Sequence, residues 1–338
     1  MAQDKVTYQD IADYTGFTKT TISRYFNHPE TVTEANRAKI RQALDDLGYH
    51  SNKIAQILAK GRTEFIGLLI PNLYLNYYAE VLEQFLRAYE KHGYKFLVFS
   101  GNGNEETERK YIRELLDYQV EGLIVLSHTI SSAELASYHI PVVAFEREDQ
   151  NVSSVSADNY AGGRAAAELL IRSGCDICLH INNAEPDELR PATRRIAGFL
   201  DVCKERGVPS KVYGYPQDNS YQDMRESIDT IAEDIQRTYP GLRKGIFCSN
   251  DVIADIILNS ILRREGRLTE DYRIVGFDNS TIAEQAVVPI STVGQQLDVM
   301  VEAAVELLSR QIEARRKQET VVPEHRMIPP VLIERETT

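Results

Sequence analysis

The length and composition of this chain exclude several classes of protein. It has 338 residues, of which 43% are hydrophobic, so it can bury two or three packed units. No window reaches the ~18 consecutive apolar residues of a membrane helix. The polar start MAQDKVTYQD lacks the apolar core of a secretory signal, and four cysteines are too few for a disulfide scaffold. We therefore expect a cytoplasmic protein.

The net charge of −12 is unevenly distributed along the chain. Residues 1–62 carry nine Lys and Arg against seven Asp and Glu, whereas the remaining residues carry 29 against 43. An acidic body is repelled by phosphate, so only the N-terminal segment is suited to dock on nucleic acid.

The N-terminal segment carries the signals of a helix-turn-helix. Thr7 and Asp10 form a capping box that begins a first helix. Gly16 supplies a backbone able to take a positive φ in the turn that follows. Ala12, Gly16 and Ile22 have the spacing that this motif requires, although a three-helix bundle without DNA contacts has the same pattern.

Two further helices complete this segment. Thr18 caps the second helix, which is predicted to end at Asn27 because a proline follows His28. Thr33 caps a third helix, and Gly48 ends it. The stretch 53–61 has helical propensity but is shorter than the ~12–15 residues that hold a helix in water, so we expect it to fold only against a partner.

The stretches VTYQDIADYTGFTKTTISRYFN, LGY and NKIAQILAKG resemble the headpiece of the LacI/GalR repressor family. The resemblance implies a hinge helix that folds on operator DNA beside its dimer mate, with Leu58 inserted into the minor groove. It also implies that Lys19, Thr20 and Arg24 read base edges in the major groove, whereas Thr21, Asn27 and Tyr49 contact phosphates. The predicted DNA-binding set is Thr18, Lys19, Thr20, Thr21, Arg24, Asn27, Tyr49 and Leu58.

From residue 65 onward, short apolar runs alternate with amphipathic segments. The strands are predicted at 65–70, 96–99, 123–126, 142–145, 177–181, 245–248 and 274–277. This alternation predicts an α/β fold of doubly wound parallel sheets, and the number of strands suggests two lobes. The resemblance continues through SADNYAGGRAA, IFCSNDVIA, RIVGFDN and ISTVGQQ, which implies a periplasmic-binding-protein-like effector domain.

The resulting domain prediction has four parts. Residues 1–48 form the helix-turn-helix unit and residues 49–62 form the hinge helix and linker. The N-terminal effector lobe comprises 63–158 and 293–320, and the C-terminal lobe comprises 159–292 and 321–338.

Polar residues follow several of the predicted strands. Glu146, Arg147, Asn250 and Asp278 stand at carboxyl ends, where ligands bind in such sheets. The resemblance implies an effector site made of Tyr77, Tyr78, Glu146, Arg195, Asn250 and Asp278. Carboxylates and Arg bind vicinal hydroxyls and an aromatic face suits a sugar ring, although each residue alone could equally be a loop cap or a surface ion pair.

Within the family, the stretches VEGLIVLSHTI, AFERE and LRPATRRIAGF are most similar to sucrose-type repressors. The chain departs from the family pattern where Cys175 follows Gly174, and again at His180 and Asn182-Asn183. These departures suggest a reshaped pocket floor.

Other catalytic and cofactor signatures are absent from the sequence. Gly101 and Gly103 follow a strand, but the third glycine of a dinucleotide loop is missing, and neither GxxxxGK[ST] nor GxSxG occurs. Cys175 and Cys178 form a CxxC that precedes a strand instead of opening a helix, which disfavours a redox site. We expect no cofactor, no metal and no enzymatic activity.

These observations predict a DNA-binding repressor of a sugar-utilisation operon, controlled by a small sugar. We expect a nucleoid-associated homodimer on palindromic operators. The resemblance leaves open whether the effector induces or corepresses, and it implies a phosphocarrier corepressor as a further candidate partner. The alternatives are a cytosolic sugar-binding protein, a Rossmann-type enzyme and a corepressor-dependent regulator that responds to a non-sugar metabolite.

Overall fold

The computed structural model describes residues 6–49, 62–73, 75–147, 151–182, 191–215 and 220–338. The chain forms two units, Met1–Arg62 and Thr63–Thr338. The predicted hinge, including Leu58, lies outside the described residues. Within the described residues, no helix is long and apolar enough to cross a membrane.

The smaller unit contains three α-helices in its described part: α1 (Tyr8–Thr15), α2 (Lys19–Asn27) and α3 (Glu34–Asp46), with a short 3-10 turn at Pro29–Thr31. The predicted caps are present, because Thr7, Thr18 and Thr33 each accept a backbone N–H of the helix that follows. Gly16 ends α1 with a φ of 73°. The three helices share a small core of Ile11, Ala12, Ile22, Val32 and Ile40.

The larger unit alternates strands with helices. In chain order they are β1 (Phe65–Ile70), α4 (Asn76–His92), β2 (Lys95–Ser100), α5 (Glu105–Asp117), β3 (Gly122–Val125), α6 (Ser132–Ser137), β4 (Val142–Phe145), β5 (Ser153–Ala157), α7 (Asn159–Arg172), β6 (Ile177–Asn182), α8 (Pro191–Arg206), β7 (Ser210–Gly214), α9 (Tyr221–Thr238), β8 (Lys244–Cys248), α10 (Asp251–Glu265), β9 (Tyr272–Asp278), α11 (Thr281–Gln285), β10 (Ser291–Gly294), α12 (Leu297–Arg316), β11 (His325–Ile328) and β12 (Val331–Ile333).

These strands form two six-stranded sheets, one in each lobe. The N-terminal sheet has the order β11-β5-β4-β3-β1-β2 and the C-terminal sheet has the order β12-β10-β9-β8-β6-β7. All pairs are parallel except β10 with β12. Helices cover both faces of each sheet, and two apolar clusters flank each sheet. The predicted doubly wound α/β architecture is confirmed.

The lobe boundaries near the C-terminus differ from the prediction. Residues 293 and 294, predicted in the N-terminal lobe, end β10 in the C-terminal sheet. Strand β11, predicted in the C-terminal lobe, pairs with β5 in the N-terminal sheet. The reason is the pair Pro329-Pro330, which cannot donate ladder hydrogen bonds and splits one extended segment between two sheets. The chain passes from one lobe to the other after β10 and again between β11 and β12. These two segments contact each other, since Gln296 Nε2 donates to the Pro329 carbonyl at 2.6 Å.

Candidate DNA-binding surface and effector cleft

Helix α2 presents one polar surface with a positive charge. Lys19, Thr20, Arg24 and Asn27 are exposed, whereas Ile22 is fully buried. At 100° per residue the four exposed side chains lie within about 140° of the helix circumference. The helix sequence KTTISRYFN contains no Asp or Glu. This surface is therefore suited to a groove lined by phosphates.

Several predicted phosphate contacts also stabilise α2 itself. The Thr21 amide donates to Thr18 Oγ1 at 3.2 Å, and the two hydroxyl oxygens are 3.0 Å apart. Asn27 Nδ2 donates to the Ser23 carbonyl at 3.0 Å. Thr18 and Asn27 thus have structural roles at the two ends of the helix, and their DNA contacts stay predictions.

Tyr49 packs into the smaller unit. Its ring lies 5.6 Å from the Phe26 ring and 6.2 Å from the Tyr8 ring. Burial raises the pKa of Tyr49 to about 12, and Tyr8 adds to the shift. The hydroxyl therefore stays protonated and keeps the donor that a phosphate contact would need.

The second candidate site lies at the carboxyl ends of the strands in the larger unit. Tyr77 and Tyr78 begin α4 after β1, Glu146 follows β4, and Asp278 ends β9. Arg195 lies in the first turns of α8. These elements belong to both lobes, so the candidate effector cleft is formed by residues that follow strands of the two sheets.

Arg195 is the positively charged centre of this cleft. Its Nε donates to Asn159 Oδ1 at 2.6 Å and its Nη1 donates to the Ser249 carbonyl at 2.6 Å. The guanidinium carbon lies 3.6 Å from the centre of the Phe277 ring. The side chain is nearly buried, and a buried charge requires such partners. These contacts fix the remaining nitrogen, Nη2, toward Glu146.

Glu146 approaches Arg195 from the other lobe. Its Oε2 is 3.7 Å from Arg195 Nη2, which is longer than a hydrogen bond, while its Oε1 accepts the Ala157 amide at 2.7 Å. The Glu146 backbone has a φ of 55°. Left-handed backbone is strained for a residue with a side chain and is concentrated at functional sites.

Asp278 is the second carboxyl group of this cleft. Gln295 Nε2 donates to Asp278 Oδ1 at 2.5 Å, and the Tyr77 hydroxyl is 3.5 Å from Gln295 Oε1. Burial raises the pKa of Asp278 well above its ordinary value, and Arg195 opposes the shift. Burial also raises the pKa of Tyr77, with Glu146 and Asp278 adding to it. The contact between Arg195 and Glu146, and the contacts of Gln295 with Asp278 and Tyr77, bring these side chains into one cleft.

The other two predicted effector residues have different surroundings. Asn250 caps α10, since its Oδ1 accepts the Ile253 amide at 3.0 Å, although it lies next to the carbonyl that binds Arg195. Tyr78 packs edge-on against Tyr77, with ring centres 5.2 Å apart. The structure thus brings Tyr77, Glu146, Arg195 and Asp278 together. Asn159 and Gln295, which hydrogen-bond to Arg195 and Asp278, are further polar residues of this candidate site that the sequence did not predict.

The close approach of α7 and α8 holds Arg195 in place. A Cβ atom at Gly163 would lie 2.2 Å from the Arg195 carbonyl oxygen, and one at Gly198 would lie 2.1 Å from the Tyr160 carbonyl oxygen. Only glycine allows the two helix backbones to touch at these points. The contact between the two helices therefore fixes the backbone of Arg195, from which its guanidinium extends.

His180 and Asn182, which the sequence marked as departures from the family, lie in β6 beneath the cleft. His180 Nδ1 is 2.9 Å from the Phe247 carbonyl oxygen and its ring stacks on the Phe247 ring at 4.5 Å. A carbonyl only accepts, so Nδ1 carries the proton. Nε2 then accepts from Asn182 Nδ2 at 3.0 Å.

Cys175 and Cys178, the two cysteines of the CxxC sequence, are buried thiols with raised pKa values. Burial raises the pKa of Cys175 to about 11, whereas the hydrogen bond between Cys178 and Cys203 raises the pKa of Cys178 and lowers that of Cys203. A thiol with a raised pKa is a poor nucleophile. No group of three or more metal-ligating side chains occurs in the part of the chain that the structure describes.

A helix-turn-helix unit joined to a two-lobed α/β unit with a polar cleft defines a class, the DNA-binding regulators that carry a ligand-sensing domain. Comparison with known families agrees with this class. Residues 7–52 match the family of bacterial regulatory proteins of the lacI type, and residues 167–338 match the periplasmic binding protein-like domain. The chain belongs to the LacI family of bacterial transcription regulators.

Individual relatives cover nearly the whole chain. A ribose operon repressor of Halalkalibacterium halodurans is 29% identical over 98% of this chain and 97% of its own length. A sucrose operon repressor of Streptococcus mutans is 28% identical over 90% and 92%. Both are repressors, in agreement with the prediction of a transcription regulator that is not an enzyme.

Solved structures show the same fold. A periplasmic binding protein/LacI transcriptional regulator of Alkaliphilus metalliredigens, complexed with D-xylulofuranose, is 30% identical, covers 81% of this chain and 99% of its own, and has a TM-score of 0.70. The lac repressor dimer bound to operator and the anti-inducer ONPF is 20% identical over 99% of both chains, with a TM-score of 0.84.

Proposed function

We propose that this protein represses a sugar-utilisation operon and that a neutral sugar in the effector cleft controls its operator affinity. The observation that carries this proposal is the cross-lobe set of Tyr77, Glu146, Arg195 and Asp278. Buried carboxylates and a guanidinium next to an aromatic ring are the groups that bind vicinal hydroxyls and a sugar face. The names of the ribose and sucrose operon repressors, and the pentulose in the Alkaliphilus structure, support it.

The charges of the cleft favour a neutral effector over an anionic one. Glu146 lies beside the one cation of the cleft, and two nitrogens of Arg195 already donate to Asn159 and Ser249. A phosphate or carboxylate group on the ligand would lose its hydration next to the Glu146 carboxylate, while most of the guanidinium is already engaged. Sugar hydroxyls can instead donate to the carboxylates, so sucrose and ribose are reasonable probes.

On the DNA side, we propose a homodimer that reads two operator half-sites through α2. The positive surface formed by Lys19, Thr20, Arg24 and Asn27 would enter the major groove, with base readout by Lys19 and Arg24. Leu58 of each protomer would enter the central minor groove. Operator binding would place the protein in the cytoplasm with the nucleoid.

Operator binding with and without sugars tests this function. Fluorescence anisotropy would follow palindromes from the region around the gene, with ribose and sucrose as neutral probes and gluconate and glucose 6-phosphate as anionic controls. We expect tight binding to one palindrome and a change in affinity with a neutral sugar only. The direction of that change distinguishes induction from corepression.

The same assay separates the alternatives. A sugar-binding protein without regulatory function would bind a sugar but no palindrome. A regulator that responds to a non-sugar metabolite would bind its palindrome and ignore every sugar. A phosphocarrier corepressor remains a further proposal, and adding the phosphocarrier protein to the operator complex should then raise operator affinity.

A further inference from the structure

The two lobes are joined by a second polar contact, made by residues outside the predicted effector set. Asn76 Nδ2 in α4 donates to Glu80 Oε1 at 2.7 Å and to Thr281 Oγ1 at 2.9 Å. The Thr281 amide and hydroxyl both donate to Glu80 Oε1, at 2.8 and 3.0 Å. Because α4 belongs to the N-terminal lobe and α11 to the C-terminal lobe, this cluster links the lobes directly.

The contact completes the first turn of α11. Ser280 is the N-cap residue of α11, but its side chain makes no capping hydrogen bond, and its amide and hydroxyl donate to Asp251 Oδ2 at 2.7 and 3.0 Å. The first free amide of the helix, that of Thr281, is accepted by Glu80 from the other lobe. An unpartnered amide at a helix start is costly, so the contact has a reason to persist.

Both partners are adjacent to effector-cleft residues. Asn76 directly precedes Tyr77 in α4, and Thr281 follows Asp278 by three residues. The intervening loop is held in place because the Ser280 amide and hydroxyl both donate to buried Asp251. Leu75, just before α4, packs against the core of the C-terminal lobe.

We propose that Asn76, Glu80 and Thr281 form an inter-lobe clasp that positions Tyr77 and Asp278 on opposite sides of the cleft. The clasp favours the arrangement of the lobes in this structure before an effector binds, so the effector has less reorganisation to drive. These are positioning residues. The consequence for effector affinity rests on the proposed function, whereas the link between the lobes does not.

Hydrogen exchange of the Thr281 amide in the full chain tests the link without any sugar. In Glu80→Ala we expect the exchange rate to rise about tenfold, since the amide loses a charged acceptor at a partly exposed site. Glu83→Ala is the matched control, because Glu83 lies on the same helix and pairs with Arg87 within it at 2.6 Å. An unchanged rate in Glu80→Ala, or an equal rise in both variants, would overturn the clasp.

A second variant guards against general loosening of the fold. Thr281→Val keeps the amide but removes the hydroxyl that contacts both Asn76 and Glu80, so we expect a smaller rise in exchange. The double variant Glu80→Ala/Thr281→Val should exchange no faster than Glu80→Ala alone, because both changes break one cluster. If the two substitutions raised the exchange rate by fully additive amounts, the proposal of a single cluster would be contradicted.

Sugar binding separates the clasp from the proposed function. With ribose and sucrose as probes, Glu80→Ala should weaken the affinity of whichever sugar binds the wild type by about 5- to 10-fold, with Glu83→Ala unchanged. If neither sugar binds the wild type while the exchange results hold, the clasp stands and the sugar proposal is weakened. If a sugar binds wild type and Glu80→Ala equally, the positioning role is overturned.

Discussion

The neutral imidazole of His180 predicts that the protein loses stability as the pH falls below about 6.5. The ring is fully buried in the C-terminal lobe, its Nδ1–H donates to the Phe247 carbonyl, and its Nε2 accepts from Asn182. A second proton on the ring would break the contact with Asn182. Burial lowers the pKa of His180 to about 3, and the nearby Arg195 lowers it further.

The magnitude follows from the difference between the folded and unfolded pKa values. An unfolded chain protonates this histidine below about 6.5, whereas the folded protein does so only near 3. Because the folded-state pKa is depressed, the stabilising contribution is present above pH 6.5 and is lost as the pH falls toward 3. Each pH unit in this window costs about 1.4 kcal/mol, so lowering the pH from 6.5 to 5 costs roughly 2 kcal/mol.

Denaturant unfolding at pH 7 and pH 5 measures this loss. The chain contains no tryptophan, so far-UV circular dichroism is the suitable signal. His180→Phe keeps the stacking shape and removes the titrating group, so its stability should fall between the two pH values by about 2 kcal/mol less than that of the wild type. His325→Gln, at an exposed position, serves as the control. Equal losses in wild type and His180→Phe would refute the reasoning.

Three further variants test the DNA surface and the cleft. Lys19→Ala should relax base preference at one operator position, where the lost discrimination is worth ~1–3 kcal/mol. The charge control Lys39→Ala should weaken binding to all DNA sequences equally. The same uniform weakening in Lys19→Ala would contradict base readout. Gly163→Ala should lower the free energy of unfolding by about 1–3 kcal/mol, although helix propensity alone predicts a gain, and an unchanged melting temperature would argue against the helix contact. Arg195→Met should weaken sugar binding by ~30-fold or more in titration calorimetry while leaving operator affinity intact; a matching loss of operator binding would indicate misfolding.

The helices of the smaller unit could be predicted because their signals are local. Thr7, Thr18 and Thr33 cap the helices that they were expected to cap, and Gly16 has the positive φ expected of it. A capping hydroxyl acts within three residues, so the amino-acid order alone contains the information. The predicted hinge has no such local support, since its folding would depend on partners.

The larger unit shows where local patterns stop being sufficient. The long apolar strands at the sheet centres were predicted, but β5 (SSVSA) and β7 (SKVYG) were missed because serine, lysine and glycine interrupt their apolar pattern. The path of the C-terminal segment was also missed. Strand β12 pairs with β10, about 40 residues earlier in the chain, and β11 pairs with β5, about 170 residues earlier. No pattern within the segment determines which sheet each strand joins.

In the cleft, the positions of residues at strand ends were predictable but their partners were not. The strand-end rule placed Glu146 and Asp278 at the carboxyl ends of strands, one in each sheet. Gln295, which connects Asp278 with Tyr77, stands where the chain crosses between lobes. Its role depends on how the two sheets face each other, and a polar residue after a short strand gives no indication of that.

Glu146 and Arg147 show that the direction of a strand-end side chain is a tertiary property. Both follow β4, yet Glu146 faces Arg195 in the cleft, while Arg147 Nη1 donates to the carbonyls of Ser127 and Ile130 at 2.9 and 2.8 Å. The backbone φ of 55° at Glu146 sets these opposite directions and is unfavourable for a residue with a side chain. The hydrogen bonds of Arg147 hold the backbone next to Glu146 in place. A side chain that faces away from the cleft thus stabilises the conformation that presents the cleft carboxylate, which is why neither residue could be oriented from the sequence alone.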